Sequence, residues 1–275
     1  MFRAGRYEFP LGKRTYVMGI LNCTPDSFSD GGLYNSPEAA VEHALRMQSE
    51  GADIIDIGAN STRPDATVLT CEEEMKRLMP VLEAVRKAVS VAVSVDTFYP
   101  DCAEAALEAG ADIINDVSGK FNPEMASLAV KHGTGYVVMH NPCGAGKTAE
   151  YPDGAVADVR RFFEESLMRA EECGLAKSSL CLDPGLGFGK AYEDNLELIR
   201  EADRLKFSGV ALLFAGSRKR FIGTASGVEV SSQRDYGTVA AHTAAVAGGA
   251  DIIRAHDVAA AVQGARVADA IYRKV

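Results

Sequence analysis

Short runs rich in β-branched and aliphatic residues recur along the chain, and between them the apolar positions switch to helical spacing. The strand-like runs fall near 15–21, 52–57, 91–95, 112–117, 135–140, 179–183, 210–215 and 250–254. Each is nearly continuous in apolar character, as strands covered on both faces are. The stretches between them carry helix signals. Ser36-Pro37 supplies an N-cap with proline at the first helical position, and Thr70-Cys71-Glu72-Glu73 opens the next helix as a capping box. Ala40, Val41, Ala44, Leu45 and Met47 have the spacing that packs a helix on a sheet. Eight strands alternating with helices predict an α/β chain of the (β/α)8 TIM-barrel type, one domain over residues 1–275.

One unit occurs three times: Gly51-Ala52-Asp53-Ile54-Ile55-Asp56, Gly110-Ala111-Asp112-Ile113-Ile114-Asn115 and Gly249-Ala250-Asp251-Ile252-Ile253-Arg254. Glycine ends a helix and a β-branched strand begins at once. The last position is polar and differs each time: Asp56, Asn115, Arg254. Gly-Ala-Asp is good helix-to-strand turn chemistry in itself. A constant turn at one strand end with varied polar groups at the other is also the division of labour of a barrel enzyme. The connections at 22–35, 58–69, 141–152 and 216–235 are long and rich in Gly, Pro and Ser, whereas the helix-to-strand turns are tight. Residues 1–14, with Phe2, Tyr7, Phe9 and Leu11, are expected to close the opposite end.

Composition narrows the function. The chain of 275 residues is 47% hydrophobic and 24% charged, enough to bury a large core. No apolar run reaches the roughly 18 residues of a membrane span, and Met1 to Gly12 lacks the apolar block of a secretory signal, so a cytoplasmic protein is expected. A formal net charge of −9 argues against a nucleic-acid surface. The six cysteines have no Cys-x-x-Cys pair and no zinc-like spacing, so reduced thiols are expected.

Polar groups gather at the strand ends. Strand three runs into Asp96-Thr97, either of which could instead cap the following helix. Strand four ends in Asn115-Asp116, where the amide could equally be a satisfied core group. Strand six ends in Asp183-Pro184-Gly185-Leu186-Gly187-Phe188-Gly189-Lys190, which is neither a P-loop nor Gly-x-Gly-x-x-Gly. Its glycines would let the backbone approach a flat ligand, with Phe188 beside it. Asp96, Asn115 and Asp183 together form an acceptor wall suited to a planar heterocycle bearing an amino group and ring N–H donors. Basic clusters follow at Ser61-Thr62-Arg63-Pro64, Ser217-Arg218-Lys219-Arg220 and Arg254-Ala255-His256-Asp257. On an acidic chain they imply a small anionic substrate, a phosphate ester or diphosphate.

Asn22-x-Thr-Pro-Asp-Ser-Phe-Ser-Asp-Gly-Gly32, Ser-Thr-Arg-Pro at 61–64, Ser-Val-Asp-Thr at 94–97, Ile-Asn-Asp at 114–116, Met139-His140, Asp-Pro-Gly-x-Gly-Phe-Gly-Lys at 183–190, Ser-Arg-Lys at 217–219 and Arg-x-His-Asp-Val at 254–258 closely resemble the dihydropteroate synthase family. The likeness spans nearly the whole chain in the family's order. It implies a barrel that joins 6-hydroxymethyl-7,8-dihydropterin diphosphate to 4-aminobenzoate, releasing diphosphate, with Mg²⁺ as cofactor and a homodimer as the common state. By the same resemblance Asp96, Asn115, Asp183 and Lys219 hold the pterin, with Met139, Phe188 and Arg254 against its faces. Asn22, Thr62, Arg63, Arg254 and His256 face the diphosphate, and Asn22 reaches the metal. Phe28, Pro64, Phe188, Ser217 and Lys219 form the aminobenzoate pocket, with Phe28 on a closing loop. Asn22, Arg63, Lys219, Arg254 and His256 carry the catalytic role. No protein nucleophile is required.

Some positions depart from the family pattern. Gly58-Ala59-Asn60 stands where Gly-Gly-Glu is usual, Asp65 where glycine follows Ser-Thr-Arg-Pro, Ala215 where a glycine is usual, and Asn141-Pro142-Cys143 follows Met139-His140. The first changes charge near the diphosphate end and Ala215 adds a methyl near the pterin wall. A pterin-dependent corrinoid methyltransferase and a pterin-binding homologue without activity are the rival readings.

Overall fold

Along every long strand of this chain, alternate side chains go to two different cores. The computed structural model describes residues 1–23, 36–60, 68–143 and 147–273. After the short strands β1 (Phe2–Ala4) and β2 (Tyr7–Phe9) come β3 (Tyr16–Asn22), β4 (Ile54–Gly58), β5 (Ala92–Asp96), β6 (Ile113–Asp116), β7 (Gly135–Met139), β8 (Leu180–Asp183), β9 (Ala211–Phe214) and β10 (Ile252–Ala255). β3 to β10 are parallel and close into an eight-stranded barrel, β10 pairing with β3. Ile55, Val93, Val95, Ile114, Leu182, Phe214 and Ile253 face outward into the core shared with the helices. Met18, Ile54, Ala92, Ile113, Val137, Cys181, Leu213 and Ile252 fill the barrel itself. The eight strands thus fall where the apolar runs place them.

The helices are α1 (Pro37–Glu50), α2 (Cys71–Ala88), α3 (Pro100–Glu108), α4 (Pro123–His132), α5 (Ala155–Glu172), α6 (Tyr192–Arg200), α7 (Arg220–Ser226), α8 (Asp235–Ala247) and α9 (Val258–Tyr272). Ser36 caps α1 and Thr70 with Glu73 forms the capping box of α2, as expected. Leu45 does not pack on the barrel; it is exposed, while Ala40, Ala44 and Met47 of the same helix are buried. The connection 216–235 is not open loop either, because it contains α7, too short to show a helical period and ended by Gly227 in the left-handed region.

The repeated Gly-Ala-Asp turn has a specific task at the bottom of the barrel. Asp53, Asp112 and Asp251 each donate a backbone N–H to a residue of the preceding strand and accept that residue's N–H on the carboxylate. The partners are Val17, Val93 and Leu212. Each aspartate thereby supplies an acceptor that the ladder lacks at its lower end, which locks register between neighbours. Below it, β1 and β2 pair antiparallel as a hairpin, and Phe2 and Phe9 enter the barrel core against Tyr16 and Met18. The expected plug is present, with hairpin pairing that three-residue strands are too short to announce.

Candidate active site

The inward positions turn polar one step above the apolar layer. Over Ile54, Ile113, Cys181 and Ile252 stand Asp56, Asn115, Asp183 and Arg254, and two steps above Ala92 stands Asp96. Strand register sets Asn22 opposite Gly58, Gly58 opposite Asp96, Asp96 opposite Asn115, and Met139 opposite Asp183. Asp96, Asn115 and Asp183, the residues of the expected acceptor wall, thus all stand at inward positions at the C-terminal mouth, where barrel enzymes hold their sites. Asp96 does not cap a helix: α3 begins after Tyr99 without a side-chain cap, and Asp96 turns to Arg254.

Arg254 organises this wall. Its Nε donates to Asp56 Oδ2 at 2.6 Å and its Nη2 to Asp96 Oδ2 at 2.7 Å. Asn115 Nδ2 donates to the same Asp56 oxygen at 3.1 Å. Asp56 is fully buried, and its Oδ1 has no hydrogen-bond partner among the described residues. Burial holds Asp96 above the usual carboxylate range while Arg254 pulls it down and Asp56 pushes it further up. Asp183, raised by burial and opposed by Lys219, accepts the Gly185 N–H at 2.7 Å.

The glycine-rich turn after β8 is fastened on every side. Gly185 has φ of 67°, and a Cβ there would collide with the His140 carbonyl oxygen; a Cβ on Gly189, φ 66°, would crowd Cys143 and Pro142. At Gly185 and Gly189 the close neighbour that demands glycine is thus the protein's own 139–143 segment, and at Gly187 it is the Lys219 side chain, rather than a ligand as the sequence suggests. Asn195 of α6 accepts the Gly187 N–H at 2.5 Å, and Tyr151 donates to the Gly189 carbonyl at 3.0 Å. Lys219 donates to the Leu186 carbonyl, and its ammonium stands 4.3 Å from the centre of the Phe188 ring. Burial pulls Lys219 down to about 8 despite Asp183 and Asp96 nearby. Lys190 reaches the Phe188 carbonyl at 2.8 Å and His140 Nδ1 at 3.0 Å.

Of the two basic clusters among the described residues, only part faces the mouth. Arg218 is turned away into a two-pronged pair with Asp235, at 2.8 and 2.9 Å, and takes the left-handed φ of 58°. Its backbone N–H is held by Thr238 at 3.0 Å, so the turn delivers Lys219 and not Arg218 to the site. Arg220 is exposed. Ser217 Oγ meets His256 Nδ1 at 2.9 Å and accepts the His256 backbone N–H at 3.1 Å, joining the ends of β9 and β10. Met139 is buried against the Gly185 turn. Phe28, Thr62, Arg63 and Pro64 lie outside the described residues, as does Asp65.

Two of the departures can be placed in the structure. Asn60 donates from Nδ2 to the fully buried Glu74 at 2.9 Å and accepts the Leu69 N–H at 3.2 Å. An ionised glutamate has no donor to offer Glu74. Ala215 lies with Met18 and Leu213 in the barrel core. Cys23, beside Asn22, is buried, which pushes its thiol up to about 12 and away from nucleophilic chemistry. Three groups in or behind the site are only partly legible in the sequence. Asp56 is visible as the varying end of the repeat, but nothing in its spacing groups it with Asp96, Asn115 and Asp183; Lys190 and His140 stand at motif ends, and the sequence names no partner for either.

A family model described as "Pterin binding enzyme" matches residues 18–256. The dihydropteroate synthase of Synechocystis sp. is 44% identical over 273 residues, covering 98% of this chain and 94% of that protein. A Xanthomonas albilineans dihydropteroate synthase solved with 4-aminobenzoic acid superposes with a TM-score of 0.87 at 45% identity, covering 94% of each chain. The same organism's enzyme in complex with 7,8-dihydropteroate gives a TM-score of 0.85 at 42% identity over 95% of each chain.

Proposed function

The chain belongs to the pterin-binding enzyme family, and we propose that it acts as its dihydropteroate synthase relatives do. It joins 6-hydroxymethyl-7,8-dihydropterin diphosphate to 4-aminobenzoate and releases diphosphate and 7,8-dihydropteroate. The observation that carries this reading is the inward wall of Asp96, Asn115 and Asp183 around Arg254. A pterin offers an amino group and ring N–H donors to such a wall, and each buried donor needs an acceptor.

In the reaction, the bond between the pterin methylene carbon and the diphosphate oxygen breaks. The arylamine nitrogen forms the new bond to that carbon and gives up a proton. Asp96, Asn115, Asp183 and Lys219 hold the pterin ring, with Met139, Phe188 and Arg254 against its faces. Asn22, Thr62, Arg63, Arg254 and His256 serve the leaving diphosphate, and Phe28, Pro64, Phe188, Ser217 and Lys219 the aminobenzoate. Positioning and charge stabilisation make up the protein's share of catalysis. Arg254, now on Oδ2 of Asp96, would share that carboxylate with the pterin's donors, for which the second oxygen remains an acceptor.

Mg²⁺ fits the donors present. Among the described residues no group of three or more His, Cys, Asp or Glu is placed for a metal. The neutral amide of Asn22, at the rim end of β3, suits an ion bound mainly by substrate phosphates and water. Asn22 would hold it, and it would neutralise charge on the diphosphate.

We further propose a homodimer through α8 and α9. The two helices pack side by side, and after Asp235 their only Asp, Glu, Lys or Arg residues are Arg266 and Asp269. Tyr236, Val267, Ile271 and Tyr272 are exposed at 93%, 60%, 60% and 52%, an outward apolar face that a second copy would cover. The free cysteines suit a reducing, cytoplasmic setting.

Calorimetry with the dihydropterin diphosphate, followed by diphosphate release on adding 4-aminobenzoate, tests the function. Micromolar binding with turnover is expected; binding without turnover would leave a pterin-binding protein and remove the synthase.

A further inference from the structure

Behind the acceptor wall, two buried groups, Lys190 and His140, and the half-buried Asp158 form a chain that the reaction does not use. Lys190 Nζ lies 2.8 Å from the Phe188 carbonyl oxygen, 3.1 Å from the His140 carbonyl oxygen and 3.0 Å from His140 Nδ1. His140 Nε2 lies 3.0 Å from Asp158 Oδ1 on α5. The imidazole also packs edge-on to Phe162, with ring centres 5.1 Å apart.

The hydrogen-bond arithmetic closes. An ammonium has three donors and no acceptor, and Lys190 meets three acceptors. Because Nδ1 accepts from Lys190, the ring hydrogen sits on Nε2 and is donated to Asp158, which fixes the neutral tautomer. Burial, with Lys190 assisting, pulls His140 down to about 3, in keeping with that tautomer. Burial also pulls Lys190 down to about 7, against Asp183 and Asp194 and with Lys219. A buried lysine so displaced beside a site would ordinarily be read as an acid or base. Here each of its donors already has a protein partner, and none is left to pass a proton to a substrate.

What the chain does is join two strand ends. Lys190 grips the backbone of Phe188, which follows β8, and the backbone and ring of His140, which follows β7. Asp158 anchors the far end to α5. The Phe188 ring in turn carries Lys219 at 4.3 Å, so a displaced ring would disturb that cation as well.

We propose that Lys190, backed by His140 and Asp158, is a positioning residue for the arylamine half of the reaction, setting where the Phe188 ring stands. The proposal rests on the assignment of Phe188 to the aminobenzoate pocket, and the experiment separates the two. Steady-state kinetics and calorimetry on the full chain would compare Phe188→Ala, Lys190→Met and Asp158→Asn. Lys190→Met is expected to raise the KM for 4-aminobenzoate at least about tenfold and to weaken the Kd for the dihydropterin diphosphate by a clearly smaller factor, because Asp96, Asn115 and Asp183 still hold the pterin ring while Phe188 only lies against its face. Asp158→Asn, which keeps size and removes the carboxylate charge that faces His140 Nε2 and Arg161, should shift the same KM about threefold. Should Lys190→Met fail to fold, Asp158→Asn decides alone. An unchanged aminobenzoate KM in these variants, with Phe188→Ala raising it, overturns the positioning role and leaves the pocket. An unchanged KM in Phe188→Ala removes the pocket assignment and the proposal with it.

Discussion

Arg254 and Asp56 stand 198 residues apart in the chain, and the Nε of one lies 2.6 Å from Oδ2 of the other. Both occupy the last position of the same repeated unit, and so does Asn115, which donates to that oxygen from the other side. Three copies of one strand motif thus converge on a single carboxylate.

Asp56→Asn keeps the shape and removes the charge that balances Arg254. The guanidinium would then depend on Asp96 and compete with the pterin for it. Affinity for the dihydropterin diphosphate should fall about tenfold or more, and unfolding free energy by up to about 3–5 kcal/mol, the cost of stripping one member from a buried pair. Calorimetry and denaturant titration read the two effects; unchanged affinity would make Asp56 purely structural.

Lys219 gives a pH signature with opposite signs for activity and stability. Its ammonium is lost as pH rises through about 8, so kcat/KM should decline above that point. The folded value lies below the ordinary 10.5, so between about 8 and 10.5 the folded state holds fewer protons than the unfolded one and stability rises with pH. Lys219→Met should erase this stability increment, and Lys219→Arg should move the alkaline limb of the activity profile upward. An alkaline limb that stays near 8 in Lys219→Arg assigns it to another group.

Asp112 sits at the opposite end of its strand from Asn115 and accepts the Val93 N–H at 2.9 Å, with Arg86 at 3.4 Å. Asp112→Ala should cost about 1–3 kcal/mol, a fall in Tm of roughly 2–10 °C, and leave kcat/KM alone. Thermal unfolding beside initial rates would show this; a loss of activity in the folded variant would tie the barrel floor to the site.

Ile271→Asp with Val267→Asp places charge on the exposed face of α9, where neither residue is buried in the single chain. Sedimentation should report a shift from dimer to monomer with secondary structure intact. A wild-type protein that sediments as a monomer rules out the dimer.

The sequence by itself determined the alternation of strands and helices, because burial on both faces makes barrel strands short and apolar while the helices between them keep a 3.6-residue period. It also placed Asp96, Asn115, Asp183 and Arg254 at strand ends, since the period of two puts every second residue inside and a polar one there must lie at the open mouth. The repeat itself was visible, with its constant aspartate and its changing last residue. Only the tertiary structure decided what those groups touch. Arg218 and Arg254 read alike as members of basic clusters facing a small anion, yet Asp235 and Asp56, brought alongside by the turn before α8 and by barrel closure, pair with them. Lys190 read as the end of a glycine turn, and its partners His140 and Asp158 arrive from β7 and α5. Spacing along a chain specifies which face a side chain takes; the partner that satisfies a buried charge comes from another strand, and its identity follows from closure of the barrel.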